Sequence, residues 1–506
     1  MGEHDVIVIG AGPAGEVCAG RAADEGLDVA LVERELVGGE CAYWACMPSK
    51  ALLRPAQLLA EVQRVPGARQ AVTGALDPAV VLARRDEVIH DLDDGAQLPW
   101  LEDRDITLYR GQARIEGERT VRVGNDLVTA RRAVVVAVGS GAAIPPVPGL
   151  REIAPWTNRQ GTTANGVPQR LTVLGGGAVG CELAQAWASL GAAVTLVEAE
   201  PALLPGEEPL AGEELSAALR EHGIDLKLGA QATEAARNDA GQFTLTLSGG
   251  EAIVSDELLV AVGRAPHTDD LGLDTVGLEP GATIAVDDHM RVTIPAHRHW
   301  LYAIGDVNGR ALLTQAAKYH AMIAVANLMN REVAAAWDGP LSPRVVFTDP
   351  QIAAVGRTLR QALEAGIPAR AVDAEMGRTP GASFIGKGAP SACRIVVDEQ
   401  RQVLIGATFT GPEVAESLHA ATVAIVGEVP LSRLVHAMPP FPTAARCGCG
   451  CWIPSRPDPA AGQPGISSVN VVAPLCDWTE SRPRIRSASS EAMASPSPEP
   501  WASSAV

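Results

Sequence analysis

A strand that runs directly into a glycine-rich turn and a helix occurs twice in this chain of 506 residues. The first copy joins Asp5–Ile9 to Gly10-Ala-Gly12-Pro-Ala-Gly15, and the second joins Arg170–Leu174 to Gly175-Gly-Gly177-Ala-Val-Gly180. Such glycines permit a tight turn that brings backbone N–H groups and a helix N-terminus to a pyrophosphate. The following helices and second strands are predicted at Glu16–Glu25 and Asp28–Val32, and at Glu182–Leu190 and Ala193–Val197. The pattern therefore predicts two βαβ units and two nucleotide-binding domains.

An acidic residue lies at the end of the second strand of each unit, Glu33 in the first and Glu198 in the second. A carboxylate in this place can accept hydrogen bonds from a ribose hydroxyl. A 2′-phosphate would be repelled by Glu198 and Glu200, and no arginine lies between Val197 and Gly206 to neutralise it. The second unit is therefore predicted to bind NADH in preference to NADPH.

Two cysteines stand five residues apart in Gly38-Gly-Glu-Cys41-Ala-Tyr-Trp-Ala-Cys46-Met-Pro-Ser-Lys50. Nine cysteines, spread along a large chain in which we expect no secretory signal, argue against a framework of structural disulfides. The pair could close a small disulfide ring, with a thiolate favoured by the N-terminus of the following helix and by Lys50. Buried structural cysteines and half of a metal site are the alternatives, although no His or further Cys follows at zinc-like spacing.

Further motifs follow in order between residues 4 and 443. They are Ala137-Val-Gly139-Ser140, Ala261-Val-Gly263-Arg264-Ala-Pro266, Ala303-Ile-Gly-Asp306 and Val346-Phe-Thr-Asp-Pro350. With the two glycine turns and the cysteine pair, the chain resembles the class I pyridine nucleotide-disulfide oxidoreductases, a group of FAD-dependent enzymes that includes lipoamide dehydrogenase, glutathione reductase, mercuric reductase and the soluble transhydrogenase. The resemblance implies an enzyme in which NADH passes hydride to FAD and the reduced flavin opens a Cys41–Cys46 disulfide. The thiolate so formed then reduces an acceptor.

The resemblance also implies roles for individual residues. The FAD residues would be Gly10, Gly12, Gly15, Glu33, Gly139 and Asp306, the last of them at the ribityl and phosphate region. The NAD residues would be Gly175, Gly177, Gly180, Glu198 and Gly263. Cys46 would face the isoalloxazine, and Cys41 would exchange with the substrate. Lys50 and Glu182 would lie beside the reactive flavin nitrogen, unless they are an ordinary surface lysine and a helix-start acid.

The chain departs from this family at Phe441-Pro442-Thr443. Members that reduce disulfides carry His-Pro-Thr here, and the histidine is the acid–base group for the exchanging cysteine, reached across the dimer interface. Phenylalanine cannot move a proton, and loss of a positioned acid–base group costs about 10²–10⁴-fold in rate. His436 is the nearby alternative. Tyr43 and Trp44, larger than the residues usual between the cysteines, are expected to shield Cys41 or to offer a stacking surface.

The fold class expected is α/β, with two Rossmann-like dinucleotide-binding domains, one for FAD and one for NAD, plus a C-terminal α+β dimerisation domain and a disordered tail. The predicted limits are 1–150 and 273–338 for the FAD domain, 151–272 for the NAD domain, 339–443 for the dimerisation domain and 444–506 for the tail. In the dimerisation domain we predict strands at Arg344–Phe347, Cys393–Val397 and Gln402–Gly406, and a helix at Glu413–Val426.

The tail has nine Pro and eleven Ser and loses all periodicity. Ala444–Pro454 can be translated back into one plausible DNA sequence. When one base is restored in front of it, the shifted reading frame encodes Arg-Ser-Glu-Val-Trp-Leu-Trp-Leu-Leu-Asp-Thr. This peptide has the acidic residue and the amphipathic helix that the family has at this place. We therefore interpret 444–506 as a frameshift product. A soft-metal site at Cys447, Cys449 and Cys451 is the alternative.

The function expected is an NADH-dependent FAD oxidoreductase with a redox-active cysteine pair and a dithiol or disulfide acceptor. The alternatives are an NADH:quinone, dye or metal-ion reductase, a transhydrogenase-like flavoprotein, and a flavin-binding protein inactivated by its altered C-terminus. A net charge of −19 argues against nucleic acid as a partner. No membrane span is expected, and we predict a cytoplasmic homodimer whose partner molecule is a small electron acceptor.

Overall fold

A computed structural model describes residues 2–293, 299–379, 381–386 and 391–441. Pro442, Thr443 and the tail 444–506, with its expected disorder and the cysteines of the alternative metal site, lie outside these residues.

The first 150 residues build a sheet around the first glycine turn. The strands are β1 (Gly2–Ile9), β2 (Val29–Glu33), β3 (Thr107–Arg110), β4 (Ala113–Gly117), β5 (Thr120–Val123), β6 (Asp126–Val136) and β7 (Ser140–Ala142). The helices are α1 (Pro13–Asp24), α2 (Gly39–Tyr43), α3 (Cys46–Arg64), α4 (Pro78–Val88) and α5 (Leu98–Glu102). The strand order is β3-β2-β1-β6-β5-β4, with β1, β2, β3 and β6 parallel.

The central strand β1 is covered on both faces, as its continuous apolar run predicts. Val6 and Val8 belong to the core that includes α1, whereas Ile7 and Ile9 belong to the core on the opposite face with β4 and β5. This double burial fixes the carboxyl end of β1, where the turn begins.

The second glycine turn lies in a separate parallel sheet. The strands are β8 (Arg170–Leu174), β9 (Ala193–Glu198), β10 (Asp225–Leu228), β11 (Ala232–Arg237), β12 (Phe243–Leu247), β13 (Ala252–Ser255), β14 (Glu257–Val260) and β15 (Arg264–Pro266). The helices are α6 (Asn158–Thr163), α7 (Ala178–Ser189) and α8 (Pro209–Glu221). The parallel order is β10-β9-β8-β14, β11-β12-β13 form an antiparallel sheet, and β15 pairs with β7.

The chain then returns to the first sheet through β16 (Leu301–Ala303), which pairs in parallel with β6. A short 3₁₀ helix, Gly305–Asn308, follows at the carboxyl end of β16, and α9 (Thr314–Leu328) follows it. Ala317, Ala321 and Ala324 of α9 share the core of α1. The two helices therefore lie on the same face of the sheet.

The last part is an antiparallel sheet with helices. The strands are β17 (Arg344–Val346), β18 (Gln351–Gly356), β19 (Ala369–Glu375), β20 (Ala392–Asp398) and β21 (Val403–Gly411). The helices are α10 (Leu359–Glu364), α11 (Ala382–Ile385), α12 (Val414–Val426) and α13 (Leu431–Leu434). The strand order is β17-β18-β21-β20-β19, and α12 buries Leu418, Ala421 and Ile425 in the core of this sheet.

The α/β class, both βαβ units and the C-terminal α+β part are confirmed. The antiparallel strands β11–β13 were not predicted. Strands β11 and β13 are short and mostly exposed, which gives a weak periodic signal, whereas the alternation of apolar and polar residues in Phe243–Leu247 of β12 is a strand signal that was missed. In the part of the chain that the structure describes, no helix has both the length and the apolar character that crossing a bilayer requires.

Candidate active site

The two cysteines predicted to be reactive lie at the junction of α2 and α3. Cys41 is in α2, and Cys46 is the first residue of α3. Both are half-buried free thiols, and the Cys46 Sγ lies 3.4 Å from the Thr314 Oγ1 at the start of α9. No side chain caps the N-terminus of α3, whose unpaired N–H groups and dipole favour a thiolate on Cys46.

The environments of the two thiols differ in the direction that a redox pair needs. A hydrogen bond from Cys41 lowers the pKa of the Cys46 thiol; burial opposes this, and Thr314 and Lys50 add to it. The same hydrogen bond, together with burial, raises the pKa of Cys41. In the reduced pair the negative charge therefore resides on Cys46 and the proton on Cys41.

Lys50 and Glu182, which are 132 residues apart in sequence, form an ion pair with 2.7 Å between Nζ and Oε2. The carboxylate is buried, and its other oxygen accepts a hydrogen bond of 2.8 Å from the backbone N–H of Phe347. The Lys50 ammonium also lies 4.7 Å from the centre of the Phe347 ring. The pair is thus held from three parts of the chain, and Glu182 is not an ordinary helix-start acid.

The first glycine turn fits a bound dinucleotide. A Cβ on Gly15 would lie 1.8 Å from the Gly10 carbonyl oxygen, so only glycine lets α1 approach β1 this closely. Around Gly12 the space is open, with no atom nearer to such a Cβ than 3.9 Å, and α1 begins without a side-chain cap. N–H groups at this helix start are therefore available to a phosphate.

A cavity of about 60 Å³ beside this turn is lined by Gly10, Glu33, Gln112 and His267, among others. The buried Nε2 of His267 has no hydrogen-bond partner within the described residues. An orphaned buried nitrogen calls for a polar partner, which a bound nucleotide would supply. The residues at this turn thus fit FAD.

The second turn opens on a larger cavity of about 730 Å³. Gly175, Gly177, Glu198 and Gly263 line it, and Glu198 and Arg264 are the charged residues of its lining. Gly180 lies under the turn, where a Cβ would be 1.9 Å from the Gly175 carbonyl oxygen. The size and the open glycine edge suit the nicotinamide dinucleotide.

Both terminal acids bind the turns themselves. Glu33 accepts a hydrogen bond of 2.7 Å from the N–H of Ala11, and Glu198 accepts one of 2.5 Å from the N–H of Gly176. In each carboxylate the second oxygen accepts from the N–H two residues further along, in Glu35 and Glu200. Each oxygen keeps a second lone pair, so a ribose hydroxyl can still donate to it.

Asp306 lies in the 3₁₀ helix after β16 and accepts a hydrogen bond of 2.5 Å from Ser140 Oγ. Ser140 follows Gly139 as the first residue of β7, and Arg264 donates to its hydroxyl (2.7 Å) and to its carbonyl (2.5 Å). Arg264 thereby links the Asp306 turn to the large cavity. Sequence reasoning missed its role, although both Ser140 and Arg264 stand in the quoted motifs.

A buried histidine supports the Asp306 turn and was also missed. His320 Nδ1 lies 3.3 Å from the backbone nitrogen of Gly305 and 3.3 Å from Asn308 Nδ2. Since both partners can only donate, Nδ1 accepts, and the proton on Nε2 is donated to Asp338 at 2.9 Å. Burial lowers the pKa of His320 and so favours this neutral form. No local pattern marks such a residue.

The aromatic residues between the cysteines are covered. Tyr43 is buried, and the guanidinium of Arg159 lies 4.1 Å from the centre of the Trp44 ring. Arg159 also donates to Glu40 at 2.6 Å, next to Cys41. The guanidinium of Arg159 therefore stacks on the Trp44 ring.

At the C-terminal end, the Phe441 side chain is 68% exposed, and His436 follows α13 on the surface. Phe441 thus offers no proton-transferring side chain of the kind that the disulfide-reducing resemblance requires. Among the described residues no cluster of three or more His, Cys, Asp or Glu could hold a metal ion.

Comparison with known proteins agrees with this geometry. The family model described as pyridine nucleotide-disulphide oxidoreductase matches residues 4–321, and the dimerisation-domain model of the same description matches residues 342–447. The mercuric reductase of Acidithiobacillus ferrooxidans is 34% identical over 456 residues, which cover 87% of this chain and 80% of the relative. The dihydrolipoyl dehydrogenase of Haloferax volcanii is 32% identical over 460 residues, which cover 87% and 94%.

Among solved structures, the Cu(II) complex of the HOCl-induced flavoprotein disulfide reductase RclA from Escherichia coli aligns with a TM-score of 0.77 and 25% identity. The alignment covers 89% of this chain and 99% of that one.

Proposed function

Because the chain belongs to the pyridine nucleotide-disulphide oxidoreductases, we propose that it passes electrons from NADH through FAD and the Cys41–Cys46 disulfide to a dithiol or disulfide acceptor. The family and its relatives are NAD(P)H-dependent flavin disulfide oxidoreductases, so the chain is an enzyme of this kind with FAD and a nicotinamide dinucleotide as cofactors. The acceptor and the choice of NADH are the proposed parts.

The observation that carries the proposal is the pair of thiols with oppositely displaced pKa values beside the ion pair of Lys50 with the buried carboxylate of Glu182. When bound, FAD supplies the two-electron step between nicotinamide and disulfide. Opening the disulfide takes two electrons and one proton, and it leaves Cys46 as the thiolate and Cys41 as the thiol. Glu182, held by the Phe347 N–H, fixes the Lys50 ammonium on the side of Cys46.

Cofactor choice follows from Glu198. Its carboxylate lines the large cavity, and the basic residue in that lining, Arg264, is already hydrogen-bonded to Ser140. A 2′-phosphate near Glu198 would meet a like charge, worth about 1–4 kcal/mol at close range. We therefore expect kcat/KM for NADH to exceed that for NADPH by at least about tenfold.

Steady-state kinetics with both nucleotides check this preference. Glu198→Gln should bring the NADH/NADPH ratio towards one, because it removes the charge. Its single amide oxygen can accept only one of the two N–H groups that the carboxylate accepts, which should weaken the binding of both nucleotides. Glu221→Gln, on the exposed end of α8, should leave the ratio unchanged. A wild-type enzyme that prefers NADPH would contradict the assignment.

A second candidate function is reduction of an acceptor that needs no proton transfer to a leaving thiol, such as a quinone or Hg(II). The specific observation in its favour is Phe441 in the place of the expected histidine. The likeness to proteins named mercuric reductase supports including Hg(II) among the acceptors tested.

A panel of lipoamide, oxidised glutathione, Hg(II) and a soluble quinone, each driven by NADH, separates the two candidates. We expect a disulfide to be turned over and Cys41→Ser to abolish that turnover. Cys18→Ala, in the core of α1, is the matched cysteine control and should behave as wild type. Quinone reduction that survives Cys41→Ser, with no disulfide turned over by the wild type, would favour the second candidate.

We also propose a homodimer, supported by the dimerisation domain, and the domain limits 1–150, 151–272, 273–338 and 339–443, supported by the change of sheet along the chain. Residence in the cytoplasm stays a prediction.

A further inference from the structure

We propose that Asn158 binds the nicotinamide half of the dinucleotide through its side-chain oxygen, while its side-chain nitrogen holds the segment of chain that carries Cys41. The inference rests on the proposed binding of a nicotinamide dinucleotide in the large cavity, and it does not depend on the electron acceptor. Asn158 is thereby the link between that cavity and the cysteine pair.

The position of Asn158 is set by helix α6, of which it is the first residue. It is almost fully buried, with 5% of its surface exposed, and it lines the large cavity at the second glycine turn. The Trp187 indole donates to the Gly161 carbonyl of α6 at 2.9 Å. The fully buried guanidinium of Arg85 donates to the Thr162 carbonyl at 2.6 Å. The packing of α6 therefore fixes Asn158 in the cavity wall.

The orientation of the Asn158 amide follows from its neighbours. Its side-chain nitrogen donates at 2.9 Å to the Glu40 Oε2 and at 2.8 Å to the backbone carbonyl of Trp44. A carboxylate and a carbonyl accept hydrogen bonds, so the amide atom that faces them is the NH₂ group and not the oxygen. Both N–H bonds of Asn158 are then used, and its Oδ1 is the atom left for another partner.

The Oδ1 of Asn158 accepts no hydrogen bond from any residue that the structure describes, and it is not fully enclosed by protein. Arg264, the basic residue in the same cavity lining, donates to Ser140 instead. A polar atom of a buried side chain calls for a partner. A ligand in the cavity that donates a hydrogen bond supplies it.

The cavity wall at Asn158 lies beside the redox cysteines. Its two partners, Glu40 and Trp44, belong to residues 39–45, which we call the Cys41 segment. Glu198, in the same cavity, is the acid expected at the adenosine ribose. Since hydride has to reach the flavin that serves the cysteines, the nicotinamide half is the part of NADH that belongs at Asn158. Its donors are ribose hydroxyls and carboxamide N–H groups.

Binding on one side of this amide acts on the other side. A hydrogen bond accepted by the Asn158 Oδ1 polarises the amide and strengthens donation by its N–H groups. Thr162, one turn further along α6, donates to the same Trp44 carbonyl at 3.2 Å, so the helix holds the Cys41 segment at more than one point. A nucleotide bound at Asn158 therefore stiffens the Cys41 segment.

The test compares Asn158→Leu with the wild type, because leucine has nearly the same size and lacks both polar atoms. Thr163→Val is the matched control: Thr163 is in the same helix, lies outside the cavity lining and donates to the Arg159 carbonyl at 2.7 Å. Calorimetric titration of the oxidised holoenzyme measures the affinity for two probes. They are 1,4,5,6-tetrahydro-NADH, which binds without releasing hydride, and ADP, which lacks the nicotinamide half.

Asn158→Leu should raise the Kd of tetrahydro-NADH about tenfold, the effect of one lost hydrogen bond, and leave that of ADP within about twofold. Thr163→Val should leave both affinities unchanged. Asn158→Ala, which lets water reach Glu40, is made in parallel so that a folded variant is at hand, and it should behave as Asn158→Leu does. Wild-type affinity for tetrahydro-NADH would overturn the inference, and so would an equal loss for ADP, since the whole cavity would then have changed.

Amide hydrogen exchange in peptides that cover the Cys41 segment tests the link to the cysteines. In the wild type, saturating tetrahydro-NADH should slow this exchange, whereas in Asn158→Leu saturation should leave it as it is without nucleotide. Equal protection in both proteins would refute the link.

Failure of the underlying assignment has its own signature. If the large cavity does not hold the dinucleotide, Gly177→Ala will leave the affinity for tetrahydro-NADH unchanged as well, although Gly177 lines that cavity. If the Asn158 contact alone is wrong, Gly177→Ala will weaken binding and Asn158→Leu will not.

Discussion

Replacing Cys46 with serine is expected to abolish NADH-driven reduction of any disulfide acceptor, by at least about 10³-fold. A serine hydroxyl cannot form the disulfide with Cys41, and it cannot carry the negative charge that the N-terminus of α3, Thr314 and Lys50 favour at this position. Binding of FAD should persist, because the glycine turn and Asp306 lie in other elements. The purified variant should therefore be yellow but unable to reduce disulfides.

Anaerobic titration with NADH supplies the measurement. Wild-type protein should develop a long-wavelength absorbance band from the Cys46 thiolate beside the flavin, and Cys46→Ser should not. Cys41→Ser is the matched variant: it also loses disulfide turnover, yet it keeps the thiolate and hence the band. Since the pKa of Cys46 is lowered, that band should survive at neutral pH and fade only in acid. A Cys46→Ser enzyme that reduces disulfides normally would refute the assignment.

Alanine at Gly180 is expected to have the second large effect, on the domain that contains the second glycine turn. The added Cβ would lie 1.9 Å from the Gly175 carbonyl oxygen, which is backbone and cannot rotate away. Helix α7 would have to move off β8, at a cost of about 3 kcal/mol or more. The melting temperature should fall, and KM for NADH should rise steeply, because the turn and Glu198 would lose their arrangement.

Gly177→Ala provides the contrast within the same turn. Its φ is −77°, and a Cβ there meets no atom within 4 Å, so the fold should tolerate the change within about 0.5 kcal/mol. Because Gly177 lines the large cavity, the methyl group should still weaken NADH binding. Equal melting temperatures for the two variants would show that the close approach of α7 to β8 is not what Gly180 provides.

The parts of the fold that the sequence predicted are those with strong local signals. Asp5–Ile9 and Arg170–Leu174 are uninterrupted apolar runs before glycine turns, and both are buried parallel strands. The antiparallel strands β11 and β12 give no comparable run, since exposed residues interrupt the first and half-buried residues alternate in the second. The local sequence pattern therefore predicted the central strands of the two nucleotide-binding sheets but not the antiparallel strands β11 and β12.

For the site, the spacing of residues in the sequence could not show which distant residues are in contact. Lys50 and Glu182 were paired through the family resemblance, and nothing near either residue signals the other. His320 lies within an ordinary helical stretch, where only the packing of α9 against the Asp306 turn reveals what it does. Residues that act through tertiary contacts carry no motif of their own.

The buried carboxylate of Glu182 has a consequence for how the protein is made. Its two oxygens are bound by Lys50 and by the Phe347 N–H, so the arrangement draws on residues that leave the ribosome far apart in time. The nucleotide-binding parts can fold first as the chain emerges. The carboxylate acquires its last donor only once β17 has been synthesised. In a growing chain, the sheet around the first glycine turn is therefore completed by β16 before the Glu182 carboxylate acquires its last donor.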